Sequence, residues 1–174
     1  MKRYSASAER TRDTIAAALV TAGTVPAPST VLEVGSGTGQ HVVTLAAAMP
    51  SVTWLPSDTD EAQLESIAAY RAEIALPNLR PPIRLDVRRA DWELPALAAP
   101  LSTILAIDVV STAPWSVCVG LINGAAEILP AGGRLILYGD TWPRPTDEIE
   151  KVARSRGLEP DEAPGDKFLV FRRV

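Results

Sequence analysis

Residues 31–40 read Val31-Leu32-Glu33-Val34-Gly35-Ser36-Gly37-Thr38-Gly39-Gln40, and this stretch decides the fold. A short, largely apolar run has the character of a buried strand, a glycine-rich turn follows, and a helix over 39–49 begins at once and stops at Pro50. Glycines 35, 37 and 39 are spaced GxGxG, unlike the GxGxxG of dinucleotide-binding turns. Glycine suits such a turn because the backbone takes φ values that other residues avoid, and because a ligand can then touch bare backbone. The helix beyond the turn offers free N–H groups and partial positive charge to an anion such as a carboxylate.

Working outward, strand and helix patterns alternate along the whole chain. A helix is expected over 8–22, with Ile15, Leu19 and Ala22 at helical spacing and Gly23 closing it. Strands are expected at 52–55, 83–85, 102–107, 134–138 and 168–171. Helices are expected at about 60–76, at 115–129, and at 145–156 with Gly157 as the cap. The run 102–107 is apolar toward its end, as in a strand covered on both faces. This order predicts an α/β, Rossmann-like, doubly wound and mostly parallel sheet. Residues 1–174 are read as one domain, with 1–25 a helical arm over the crevice.

Composition excludes several functions. The chain has 174 residues and a formal charge of −4, which disfavours a general nucleic-acid binder. A single cysteine, Cys118, rules out an intrachain disulfide, and without a CxxC or a Cys/His cluster no metal site is expected. A single histidine, His41, excludes any two-histidine mechanism. No apolar run approaches the roughly 18 residues of a membrane span, and the polar N-terminus lacks a signal-peptide pattern, so a cytoplasmic protein is expected.

Acids at strand ends narrow the ligand. Glu33, two residues before the first glycine, would repel a pyrophosphate and favour an ammonium group. S-Adenosylmethionine has an ammonium, a carboxylate and a sulfonium, and no phosphate. Asp58 follows Gly39 by 19 residues, where nucleoside-binding α/β domains place a carboxylate for ribose hydroxyls. Asp60 is the better placed of the two to cap the next helix, which leaves Asp58 for the ribose. Asp86 has two readings, an acceptor for an adenine amino group or a turn residue. Asp108, after the fourth strand, would hold an ammonium, deprotonate an acceptor as the catalytic base, or cap a turn.

The stretches ERTRDTI, VLEVGSGTGQH, TWLPSDTD, NLRPPIRLDV, the APW at 113–115, LPAGGRLILYG and FLVFRR together resemble the DUF938 family. Its members, methyltransferase-like protein 26 among them, are similar to class I S-adenosylmethionine-dependent methyltransferases. The resemblance implies a seven-stranded sheet with the last strand antiparallel, and S-adenosylmethionine as cofactor. It implies that Gly35, Ser36, Gly37 and Gly39 hold the methionyl part, Asp58 with Thr59 the ribose, and Asp86 with Val87 the adenine edge. Two departures fall on the substrate side. The family's histidine after strand four is Ser111 here, and the long insertion after its LYG is shortened to Asp140-Thr141-Trp142-Pro143-Arg144-Pro145.

The expected activity is methyl transfer to a small molecule. Tyr4, Ser111, Trp115 and Trp142 are the candidate substrate residues: Tyr4 on an arm that closes the crevice or frays, the tryptophans as an aromatic wall or as core. His41 is expected on the cofactor side or in a structural role, and Ser111, with no partner histidine, supports no Ser-His-acid triad. The departures leave open a cyclisation or elimination on the same fold, or a cofactor-binding scaffold without catalysis. Partners are expected to be small molecules, with neither nucleic acid nor membrane, and a homodimer is left open.

Overall fold

A computed structural model describes all 174 residues. Seven strands form one sheet in the order β3-β2-β1-β4-β5-β7-β6. They are β1 (Ser29–Val34), β2 (Val52–Asp58), β3 (Ile83–Arg84), β4 (Leu101–Ile107), β5 (Arg134–Tyr138), β6 (Leu158–Pro160) and β7 (Phe168–Arg173). The first five pair in parallel, whereas β7 runs antiparallel to both β5 and β6. The short edge strand β6 follows directly on the turn at Gly157, where periodicity alone predicted no strand, because three residues are too few for a repeat to show.

The helices are α1 (Ala6–Ala22), α2 (Gln40–Ala48), α3 (Glu61–Ile74), α4 (Val109–Thr112), α5 (Trp115–Ile128) and α6 (Thr146–Arg154). Alternation of side chains along the central strands divides the core into two. Val31 and Leu105 face a cluster built on α1, α2 and α3, while Leu32, Ile104 and Leu135 face one built on α5 and α6. All six residues of β1 are buried. A helix layer on each face leaves the sheet no wet side, hence its near-continuous apolar strands.

Local chemistry sets the helix ends. The Ser5 hydroxyl accepts from the Ala8 N–H to start α1, and Gly23 ends it at φ 59°. Ile15 and Leu19 are buried as expected, but Ala22 is exposed, and Ala8 and Ala16 complete the inner face instead. Asp60 caps α3, its side chain accepting from Ala62 N–H at 2.9 Å.

Two features position the site. The chain runs outward from β1 through β2 to β3, then returns to β4 beside β1, which makes the carboxyl ends of β1 and β4 the topological switch point. The returning segment, 85–100, has neither helix nor strand, and its Trp92, Leu94 and Leu97 pack on the α5–α6 core. Close approach there depends on small residues of α5. A Cβ on Gly120 would lie 2.4 Å from the Val87 carbonyl oxygen, and one on Gly124 would lie 2.1 Å from the Trp92 ring.

Candidate active site: a two-lobed crevice at the switch point

The glycine turn joins β1 to α2 over residues 35–39. Gly35 and Gly37 have φ of 66° and 54°, in the left-handed region that disfavours a side chain. A Cβ on Gly35 would come within 2.5 Å of Val109 Cγ2, whereas one on Gly37 would meet nothing within 4 Å and would project into open space. Gly37 is therefore the point of the loop where bare backbone faces open space in the crevice. Gly39 has a different role from the cofactor contact expected of it: it lines no part of the crevice and lets the loop settle on α3, where a Cβ would lie 3.1 Å from Ile67 Cα.

The loop is tied to the tip of β2. Ser36 N–H donates to the Ser57 carbonyl at 2.8 Å, and the Ser57 hydroxyl donates to the Glu33 carbonyl at 2.8 Å. Gly37 N–H donates to Asp58 Oδ2 at 2.9 Å, while Oδ1 accepts from Asp60 N–H at 3.0 Å. Both oxygens are thereby oriented and keep lone pairs free.

Glu33 is 1% exposed, and its Oε2 has no hydrogen-bond partner. Burial pushes its carboxyl up to about 7; the Asp58 charge adds to the rise, and a hydrogen bond from Ser36 opposes it. Glu33 does not line the crevice, so the structure does not place it in the direct ligand contact expected from the sequence; it is a buried carboxyl beneath the loop.

The crevice has two lobes that share Gly35, Ile107, Asp108 and Thr112. The first, about 320 Å³, is bordered by Asp58, Thr59, Asp86, Val87 and Val109. Asp86 serves as a turn residue here: its Oδ1 accepts from the Arg88 N–H and Nε, and its Oδ2 from an Arg88 terminal nitrogen at 2.6 Å. This guanidinium fork holds the carboxyl down to about 2, so Asp86 enters the lobe as half of an ion pair rather than as a free acceptor.

The second lobe, about 470 Å³, is bordered by Ser36, Gly37, His41, Ser111, Asp140 and the first turn of α1. Asp108 stands where the lobes meet. It is a non-glycine residue at φ 57°, a strained conformation of the kind that clusters at functional sites. Its N–H donates to the Tyr138 carbonyl, and its carbonyl accepts from the Ser111 and Thr112 hydroxyls. Burial raises the pKa of its carboxyl, Asp140 raises it further, and Lys167 opposes both.

Three expected substrate residues lie elsewhere. Tyr4 is 68% exposed and lines neither lobe. Trp115 and Trp142 pack, partly buried, against the α5–α6 core and line neither lobe, because that apolar surface draws their large rings inward. The arm instead contributes Ser5 and Ser7. Gln40 was missed: its Oε1 accepts from Ser5 N–H at 2.6 Å and from the Thr38 hydroxyl at 2.9 Å, and its Nε2 donates to Glu9 at 2.6 Å. A polar residue opening the apolar helix QHVVTLAAA was the available signal.

The residues present suit S-adenosylmethionine better than a dinucleotide. The unpartnered Glu33 oxygen and the strand-end acids Asp58 and Asp108 favour a cation near the loop, and Arg88, the one arginine bordering either lobe, is committed to Asp86.

Strand order, glycine turn and strand-end acids together define a class I methyltransferase fold. Solved structures of that fold superpose on nearly the whole chain. Magnesium protoporphyrin IX methyltransferase from Synechocystis PCC 6803, solved with bound S-adenosylmethionine, has a TM-score of 0.72 at 20% identity over 95% of this chain and 79% of its own. An O-methyltransferase family protein from Burkholderia thailandensis has a TM-score of 0.77 at 16% identity, over 97% of this chain but only 57% of its own. A TehB-like S-adenosylmethionine-dependent methyltransferase from Corynebacterium glutamicum has a TM-score of 0.66 at 18% identity, over 97% of this chain and 96% of its own. Residues 2–143 match the family described as protein of unknown function, DUF938, and the chain belongs to that family.

Proposed function

We propose that this chain is an S-adenosylmethionine-dependent methyltransferase acting on a small molecule in the cytoplasm. The observation that carries the reading is the Gly37 N–H to Asp58 hydrogen bond above the buried Glu33, whose Oε2 has no partner: one loop offers bare backbone and a ribose acceptor beside a carboxyl that a cation would ionise. Gly35, Ser36 and Gly37 would hold the methionyl part, Asp58 with Thr59 the ribose, and Val87 beside the Asp86–Arg88 ion pair the adenine edge. The bound cofactor supplies a methyl group made electrophilic by its sulfonium.

The chain's own contribution is positioning. Val109, Ile107 and Val87 give the first lobe an apolar side, and the loop's ties to β2 hold Gly37 and Asp58 in register. Asp108 is placed to hold an ammonium or to take a proton from an acceptor, with a carboxyl made more basic by burial. A scaffold function would be favoured by an exposed tryptophan patch, but both tryptophans lie against the core.

Thermal denaturation tests the reading, since a ligand that prefers the native state raises its melting temperature. S-Adenosylmethionine and S-adenosylhomocysteine are expected to raise it; NAD and ATP are expected to leave it unchanged. The reverse pattern would overturn the proposal.

A further inference from the structure

Apart from the glycine loop, the wall of the second lobe includes His41, Asp108, Ser111, Asp140, Thr141 and the first turn of α1. Of all the residues bordering this lobe, Ala8 and Ile107 alone are apolar, and no phenyl or indole ring is among them.

His41 is 9% exposed, and its Nε2 lies 3.0 Å from the Thr11 hydroxyl. That hydroxyl has one proton and directs it to the Ser7 carbonyl at 3.1 Å. That hydrogen bond assigns the tautomer: Thr11 accepts, and Nε2 carries the imidazole proton. Nδ1 is left with a lone pair that no donor of the protein meets, although the atom is not sealed from solvent. The ring is uncharged near neutral pH, its pKa lowered to about 4 by burial and by Arg12.

The nearby cations are already committed. Lys167, whose charge acts on Asp108, pairs with Asp140 at 2.5 Å, and Arg12 pairs with Glu9 at 2.8 Å. With Asp140 paired to Lys167, this wall presents the His41 lone pair and the Asp108 carboxyl with no free cation, which calls for a ligand that donates and is positive.

We propose that this half of the lobe is the acceptor subsite and that its ligand is a small aliphatic amine, bound as its ammonium ion, with N–H groups donated to His41 Nδ1 and to the Asp108 carboxylate, which takes the proton the nitrogen must lose before its lone pair can accept a methyl group. A planar aromatic acceptor would find no ring to stack on, and an anionic one would be repelled by Asp108, since Asp140 is already paired with Lys167. The inference rests on the methyltransferase reading, which makes the glycine-loop side the cofactor's.

Calorimetry on the full chain separates the two. S-Adenosylhomocysteine is titrated first, and the loaded protein then receives ethanolamine, catechol or acetate as probes. Saturable binding of ethanolamine alone is the expected result, weakened about tenfold in His41→Ala by loss of one hydrogen bond to a charged group. Failure of S-adenosylhomocysteine to bind overturns both readings. Its binding with no saturable ethanolamine, or with catechol or acetate in its place, overturns the amine subsite alone. The probe series on the unaltered protein decides the matter even should His41→Ala fail to fold.

Discussion

Gly37 and Asp58 are joined by a 2.9 Å hydrogen bond from the backbone N–H of one to Oδ2 of the other. They are 21 residues apart in the chain and sit at the tips of neighbouring strands. The bond aims a carboxylate across the crevice mouth, and the second bond, from Asp60 N–H, prevents its rotation. Because Asp60 caps α3 by itself, Asp58 has no helix to hold.

Asp58→Ala is therefore expected to weaken S-adenosylhomocysteine binding by about 10- to 100-fold, the worth of hydrogen bonds to a charged group. Calorimetry measures it, with circular dichroism as the check on folding. An unchanged affinity would remove Asp58 from the ribose site.

Gly35 and Gly37 should fail in different ways. Gly35→Ala adds left-handed strain and places a methyl 2.5 Å from Val109 Cγ2, so the β-branched Val109 side chain must shift in the lobe it borders and both melting temperature and affinity fall. Gly37→Ala meets no neighbour and costs only the left-handed strain, about 1–2 kcal/mol, yet its methyl enters the cofactor space. Its signature is a mild loss of stability with a large loss of binding. Equal effects on both quantities in the two variants would contradict the assignment.

Glu33 predicts an inverse pH dependence. The folded protein keeps this proton up to about pH 7, whereas the unfolded chain releases it near its ordinary value of 4.5. The native state binds the extra proton between those limits, so stability is full below about 4.5 and declines as pH rises to about 7. The loss is of the order of 3 kcal/mol for a fully buried carboxyl. Urea unfolding at pH 5 and pH 8 should show the decline in the wild type and a flatter profile in Glu33→Gln. A cationic ligand should drive the proton off, giving a binding heat below pH 7 that varies with buffer ionisation enthalpy.

Gly120 connects packing to the site. Gly120→Ala would set a methyl 2.4 Å from the Val87 carbonyl oxygen and push α5 away from the Asp86–Arg88 turn. Overpacking of this kind costs about 1–3 kcal/mol. S-Adenosylhomocysteine affinity should drop with it, although Gly120 borders neither lobe. Intact affinity alongside a lowered melting temperature would detach α5 packing from the adenine end.

Much of the fold is written in local pattern. Val31–Gln40 announces strand, turn and helix because apolar runs and glycines act on neighbouring φ and ψ. Asp58 and Asp108 were legible because a strand's end is a local event, and the end of a parallel strand points to one edge of the sheet. Strand β6 and helix α4 were not, being shorter than the periods that reveal elements. Their existence depends on pairing and caps supplied by distant segments, such as Phe171 opposite Pro160.

The amino-acid order alone determined the alternation of strands and helices, the glycine turn, and which acids close the strands. Tertiary packing decided which of those groups share a cavity. It buried Glu33 beneath the loop, laid Arg88 over Asp86, turned Trp115 and Trp142 to the core, left Tyr4 in solvent, and brought His41 and Asp108 to one lobe. The reason is range. Backbone preference acts over a few residues, but where a side chain ends up depends on surfaces contributed by elements far away in the chain.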